Sequence, residues 1–146
     1  MREILFRAKT LSEDEYIDCG EWIEGFYTCF NDEEHRIYTG YSETDCGEHY
    51  PDWISVDPET VRQYTGLIDK NGNMIFEGDI VKTHSGLLGK IVFGTFFDYE
   101  FECDIQGYFW IGKDDEGCAY NLALSEFWGG HEVVGNIYDN PELMNI

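Results

Sequence analysis

The sequence predicts a mostly β protein, in which an SH3-like small β-barrel over residues 74–138 follows a β-hairpin-rich N-terminal portion, residues 1–73, with short helical turns. A short tail, residues 139–146, ends the chain. Three observations predict this. Aromatic residues make up 16% of the chain, with 16 glycines and only 3 prolines, a mix that suits strands joined by glycine turns; the usual helix formers Ala, Leu, Lys and Arg are scarce. The apolar runs are short and bounded by Gly, Asn and Asp. Five such runs follow one another between Met74 and Tyr138, as in a closed or nearly closed barrel, and closure would remove exposed edges from strands this aromatic. A chain of 146 residues suits one domain or two very small subdomains with a real core.

Ile4 to Lys9 reads as an opening strand. After a polar loop, "GEWIEGFYTCF" alternates apolar and acidic residues before a cluster of aromatics, which predicts a second strand or hairpin. The acidic, turn-rich stretch Asn31 to Pro51 offers one short strand, Arg36 to Tyr41. In "VDPETVRQ", Asp57 stands at an N-cap, Pro58 at the first helical position and Glu59 in the first turn, predicting one or two helical turns. "QYTGLIDKNGNMIFEGDIVK" predicts a hairpin. Asp69 bonds back to the backbone, Gly72 takes a left-handed conformation, and Leu67 or Ile68 faces Ile75 or Phe76. Ile80 to Thr83 and Lys90 to Phe93 form the next hairpin. "DYEFECDI" then sets apolar Tyr99, Phe101, Cys103 and Ile105 against acidic Asp98, Glu100, Glu102 and Asp104 in a strict period of two, which predicts one strand with an acidic outer face. "GYFWIG" is a further strand, "DDEG" a turn, and Asn121 to Trp128 a helical turn or a final strand approach. "HEVVGNIY" is the last strand, and "DNPEL" opens the tail with a second proline signal.

Thirty acidic residues against nine Lys and Arg give a net charge of -21, spread over both halves of the chain. Direct binding to a phosphate backbone is therefore not expected. The start "MREILFRAKT" lacks the apolar core of a signal peptide and no run is long enough for a membrane span, which predicts a cytoplasmic protein without membrane attachment. Cys19, Cys29, Cys46, Cys103 and Cys118 are odd in number and scattered, as expected of free thiols in a reducing compartment.

No motif assembles chemistry. In "DKNGN", Asp69, Asn71 and Asn73 match the first positions of a calcium loop, but Gly72 falls fourth instead of sixth. His131 and Glu132 begin the zinc-protease motif, whose second His is replaced by Gly135. Cys46 and His49 have the spacing of two zinc ligands without a second pair. His84 and Ser85 are chain neighbours, which point apart, and the Gly-x-Ser-x-Gly elbow lacks its first Gly. No phosphate-cradling glycine loop is present. The expectation is no catalytic residue, no metal, no cofactor and no enzymatic activity, with binding residues unassigned. Trp22, Trp53, Trp110, Trp128, Tyr108 and Phe109 are expected as core anchors.

Four stretches together resemble the YopX family of phage and prophage proteins. They are "ILFRAK" (Ile4 to Lys9), "GEWIEGFY" (Gly20 to Tyr27), "VDPETVRQYTGLIDKNGNMIFEGDIV" (Val56 to Val81) and "VVGNIYDNPELM" (Val133 to Met144). Ala8 and Arg62 depart from the pattern, standing where Gly is usual, a change expected to alter a local turn, and Thr28 to Tyr50 matches no family element. The resemblance implies a mostly β fold with an SH3-like barrel and a phage or prophage origin, and carries over no catalytic residue. The expected function is a non-enzymatic protein-binding module that engages an unidentified host or phage protein in the bacterial cytoplasm; a homo-oligomer is compatible with the same features. The alternative is an acidic mimic of nucleic acid that occupies a host nucleic-acid-binding protein.

Overall fold

The computed structural model describes residues 4–11, 18–43, 46–47, 49–98, 101–124 and 129–144. The expected β character is found: among the described residues the chain forms eleven strands, helical structure is limited to short 3-10 turns, and the pairings are antiparallel. Two sheets result, and the chain divides into two compact units, Met1–Tyr64 and Thr65–Ile146.

The first unit holds β1 (Phe6–Lys9), β2 (Trp22–Phe30), β3 (Glu34–Glu43), β4 (His49–Ser55) and the start of β5 (Arg62–Ile68), in the order β4-β3-β2-β1-β5. Strand β2 changes partner at its middle. Trp22 to Gly25 pair with β1, and Phe26 to Phe30 pair with β3. Gly25 permits the crossing, because a Cβ there would lie 2.1 Å from the Tyr38 carbonyl oxygen. Ala8, Ile37 and Val56 are fully buried at the centre, packed by Phe6, Ile23, Tyr27 and Val61. The helical signal at Asp57 gives one 3-10 turn, Pro58–Thr60, capped by an Asp57 carboxylate oxygen that accepts from Glu59 N at 3.1 Å. Strand β4 was not expected from the sequence. Ala8 and Arg62 lie in strands, not in a turn: Ala8 fills the core, and the nearly buried Arg62 guanidinium lies 4.3 Å from the Trp22 ring.

The second unit continues with the end of β5, β6 (Met74–Phe76), β7 (Asp79–Lys82), β8 (Leu88–Asp98), β9 (Cys103–Lys113), β10 (Ala119–Ala123) and β11 (Glu132–Asn136). The last five form a sheet in the order β10-β9-β8-β7-β11. Its two edges, β10 and β11, are not joined by a ladder among the described residues, so the expected closed barrel is not formed. Much of the length of β8 and β9 is spent on pairing with each other, from Gly89↔Gly112 out to Asp98↔Cys103.

That register also overturns the single strand expected from Asp98 to Ile105. Asp98 ends β8, Cys103 begins β9, and the chain reverses between them, with Glu102 in the left-handed region at φ 54 and Asp98 Oδ1 accepting from Phe101 N at 3.0 Å. Asp98, Glu102 and Asp104 therefore gather at a hairpin tip and form no row along one strand. Tyr99 and Glu100 lie outside the described residues. A period of two was a true count over residues that do not share a strand, and the turn-forming capacity of Asp prevailed.

Ile75, Val81, Ile91, Trp110 and Leu124 form the core of this unit. Trp110 is completely buried, donates its indole N–H to the Val81 carbonyl at 2.9 Å, and lies over the directly opposed pair Gly89 and Gly112. A Cβ at Gly89 would stand 2.2 Å from the indole Cε2, and one at Gly112 would stand 2.6 Å from its Cη2. The two glycines make the seat for the largest side chain.

Candidate functional site

The turn at Asp69 is a folding device, as expected. Asp69 Oδ1 accepts from Asn71 N at 2.9 Å and Asn73 N at 2.8 Å, Gly72 N donates to Asp69 O at 3.1 Å, and Gly72 has φ +82. The structure adds a long-range role that the sequence did not indicate. Asp69 Oδ2 accepts from Asn73 Nδ2 at 3.2 Å and from Val133 N on β11 at 3.0 Å, so one nearly buried carboxylate ties the turn to the last strand. Burial alone would raise its pKa, but the bonds from Val133, Asn73 and Asn71 outweigh that and hold the carboxyl below its ordinary range.

His131 is nearly buried, with Nδ1 positioned 3.2 Å from the Gly129 carbonyl. Burial lowers its pKa, the Gly129 bond opposes this, and His84 nearby adds to the lowering, so the ring's pKa lies below its ordinary value. Glu132 lies 3.5 Å from Lys70 Nζ and 3.8 Å from Lys82 Nζ, which makes it a strand ion-pair residue and not the base of a zinc site. His84, Ser85, Thr83, Tyr120, Leu122 and His131 line an open cleft of about 500 Å³. In it the Ser85 hydroxyl meets Thr83 Oγ1 at 3.0 Å, inside a turn that also holds Leu87 N on Thr83 Oγ1 at 3.1 Å. The five cysteines are free and exposed, and no cluster of three or more His, Cys, Asp or Glu able to hold a metal occurs among the described residues. Cys46 is exposed and His49 opens β4.

The aromatic residues divide into two groups. Trp110 and Phe109 are buried as expected, with Tyr108 half-buried, whereas Trp53 is exposed and Trp128 lies outside the described residues. In the first unit the ladder places Phe26, Tyr38 and Trp53 opposite one another across β2, β3 and β4. On the same face the Arg36 guanidinium is set between rings, 3.7 Å from Trp53 and 4.7 Å from Phe30, and pairs with Glu34 at 2.6 Å. Directly opposed residues share a sheet face, so cross-strand register explains why these rings gather. Trp53, expected in the core, is exposed because pairing of β4 with β3 sets it opposite Tyr38 on this outward face.

In the second unit, β7 pairs with β8 only at Leu88 to Lys90, and β10 pairs with β9 only at Phe109 to Lys113. Farther out, β8 and β9 have only each other as ladder partners among the described residues and form a two-stranded arm. The face that buries Ile91 and Trp110 at the arm's base carries Phe93 opposite Tyr108, Thr95 opposite Gln106, and Phe97 opposite Asp104 farther along. Phe93 is 48% exposed, Phe97 51%, and Phe101 at the tip 70%. Phe93 and Tyr108 meet edge to face at 5.0 Å. Between Lys90 and Lys113 the sequence has four acids and no Lys or Arg.

Fold and surface together define a class: an acidic, antiparallel β protein of two sheets that exposes several large aromatic side chains, Phe26 and Trp53 in the first unit and Phe93, Phe97 and Phe101 in the second. The chain belongs to the YopX family, since the family model described as YopX protein matches residues 5–145, nearly its whole length. No curated protein matches it. No helix among the described residues is long and apolar enough to cross a membrane.

Proposed function

We propose that this YopX-family chain is a non-enzymatic protein-binding module, encoded by a phage or prophage and acting in the bacterial cytoplasm on a host or phage protein. The observation that carries this reading is the display of large aromatic rings in water, Phe26 and Trp53 on strands of one unit, and Phe93 and Phe97 on a strand and Phe101 at the adjoining turn of the other. Exposed apolar patches rimmed by polar residues mark interaction surfaces, and aromatic residues dominate the energetics of such surfaces. The second sheet also supports an SH3-like relationship in its connectivity. A meander from β7 to β10 is followed by a fifth strand, β11, that returns to pair with β7, as an SH3-like barrel would do before closing.

Affinity capture from host lysate at moderate salt, followed by mass spectrometry, tests the reading. A partner recovered by the wild-type chain and lost when the exposed rings are replaced by serine is the expected result, and the absence of any specific partner would overturn it. The acidic-mimic alternative predicts a partner that DNA displaces and that dissociates steeply with added salt. It draws less support than it did from the sequence, because Asp98, Glu102 and Asp104 gather around a hairpin tip in place of an extended row.

A further inference from the structure

We infer that the β8–β9 arm is a receptor for an arginine-bearing extended segment of a partner protein. This rests on the protein-binding reading above and names its surface and ligand chemistry. The molecule already contains the arrangement such a receptor would use: the Arg36 guanidinium lies 3.7 Å from the Trp53 ring and 4.7 Å from the Phe30 ring, with Nε and Nη2 both bonded to the Glu34 carboxylate. Guanidinium groups favour this environment, since they stack on ring faces while pairing with carboxylates. The arm sets a ring and a carboxylate side by side where Phe97 stands directly opposite Asp104, and adds Asp98 at the end of β8 and Glu102 in the turn next to the exposed Phe101. It contributes no cation of its own between Lys90 and Lys113.

Charge selects among occupants. A second copy of the arm would bring acids against acids, and nucleic acid would bring phosphates, whereas a basic segment gains from Asp98, Glu102 and Asp104. Spacing adds a constraint. Phe93 and Phe97 are four residues apart on one strand face, about 13 Å, which matches arginines four residues apart in an extended peptide.

The test uses the full chain and a fluorescein-labelled peptide alternating arginine and valine, followed by anisotropy at about 150 mM salt, where exposed charges alone are largely screened. Micromolar binding is expected. It should weaken by about tenfold or more in the double variant F97S/F101S, which keeps every charge. The D98N/D104N variant should bind more weakly and with a flatter salt dependence, and a lysine-for-arginine peptide should bind several-fold more weakly than the arginine one. Melting curves of the variants establish that they fold. Equal binding by wild type and F97S/F101S, or no binding by wild type, would overturn the inference. So would a mass by light scattering that falls to that of one chain only in F97S/F101S, or a preference for single-stranded DNA over the peptide. If a partner captured from lysate binds wild type and F97S/F101S equally, this inference fails and the protein-binding reading stands. If neither a lysate partner nor the peptide binds, both fail.

Discussion

Replacing Asp69 by Asn keeps the size and shape of the side chain and removes one of its two acceptors. In the native turn Oδ1 serves Asn71 N and Asn73 N, while Oδ2 serves Asn73 Nδ2 and Val133 N. The amide retains one oxygen, so its NH₂ group must face two donors whichever way it is turned. A hydrogen bond to a charged group is worth about 1.5–3 kcal/mol net, and a buried donor left unmade costs about 1–3 kcal/mol. Because the two affected bonds are neighbours and partial relaxation is available, D69N should cost roughly 2–4 kcal/mol in total. That is a large share of a typical stability of about 5–15 kcal/mol. Urea unfolding followed by tryptophan fluorescence measures it as a lower midpoint with an unchanged slope.

Acid provides the control. The folded-state pKa of Asp69 is lowered, so its contribution is fully present above the unfolded value, about 3.9, and is lost as pH falls through the folded value. The gap between wild type and D69N should therefore be widest near neutrality and shrink as pH falls below about 4. A destabilisation under about 0.5 kcal/mol, the level of an ordinary surface substitution, would refute the idea that this carboxylate joins the turn to β11.

Gly112→Ala should destabilise the second unit by about 3 kcal/mol or more, since its methyl group meets both the Leu88 carbonyl at 2.6 Å and the fixed indole of Trp110. Thermal unfolding checks it, and the fluorescence of Trp110 should shift as the ring leaves its seat. Gly72→Val should cost about 1–2 kcal/mol from backbone strain, because φ is +82 and nothing stands within 4 Å of a new Cβ; an unchanged melting temperature would refute that reading. Glu77 is held above the usual carboxylate range by burial, so ionising it disfavours the folded state at neutral pH, and stability is regained as pH falls through its folded pKa. Glu77→Gln should therefore raise the melting temperature at neutral pH, with the difference fading in acid.

Local chemistry was the legible part of this sequence. The Asp57 cap, the Asp69 turn and the left-handed Gly72 each depend on a few consecutive residues, and each is found as expected. Partners distant in the chain left no such trace. The bond from Asp69 to Val133 spans 64 residues, and the seat of Trp110 depends on Gly89 and Gly112 meeting across two strands. Strand β4 went unseen because its acidic, proline-containing neighbourhood resembles a loop, and only pairing with β3 gives it a face. The exposed position of Trp53 follows from that pairing.

The misreading of Asp98 to Ile105 bears most directly on function. A lone strand with apolar residues on one face would bury Tyr99, Phe101, Cys103 and Ile105 and leave no exposed ring at this place. The hairpin instead places Phe101 at its tip, and Phe97 and Phe93 on an outward extension of the core face, at exposures of 70%, 51% and 48%. Phe93 meets Tyr108 edge to face, yet all three rings keep about half or more of their surface in water, apolar area that a covering surface would bury. An isolated two-stranded ribbon is at best marginally stable, so its apolar residues gain most from a surface that covers them. Acids concentrated at the same tip oppose self-association and favour a cationic cover. Stability and recognition then draw on the same residues. Filling the arm with its ligand should raise the melting temperature of the second unit in proportion to binding, and F97S/F101S should lose that increment while keeping the unliganded melting temperature.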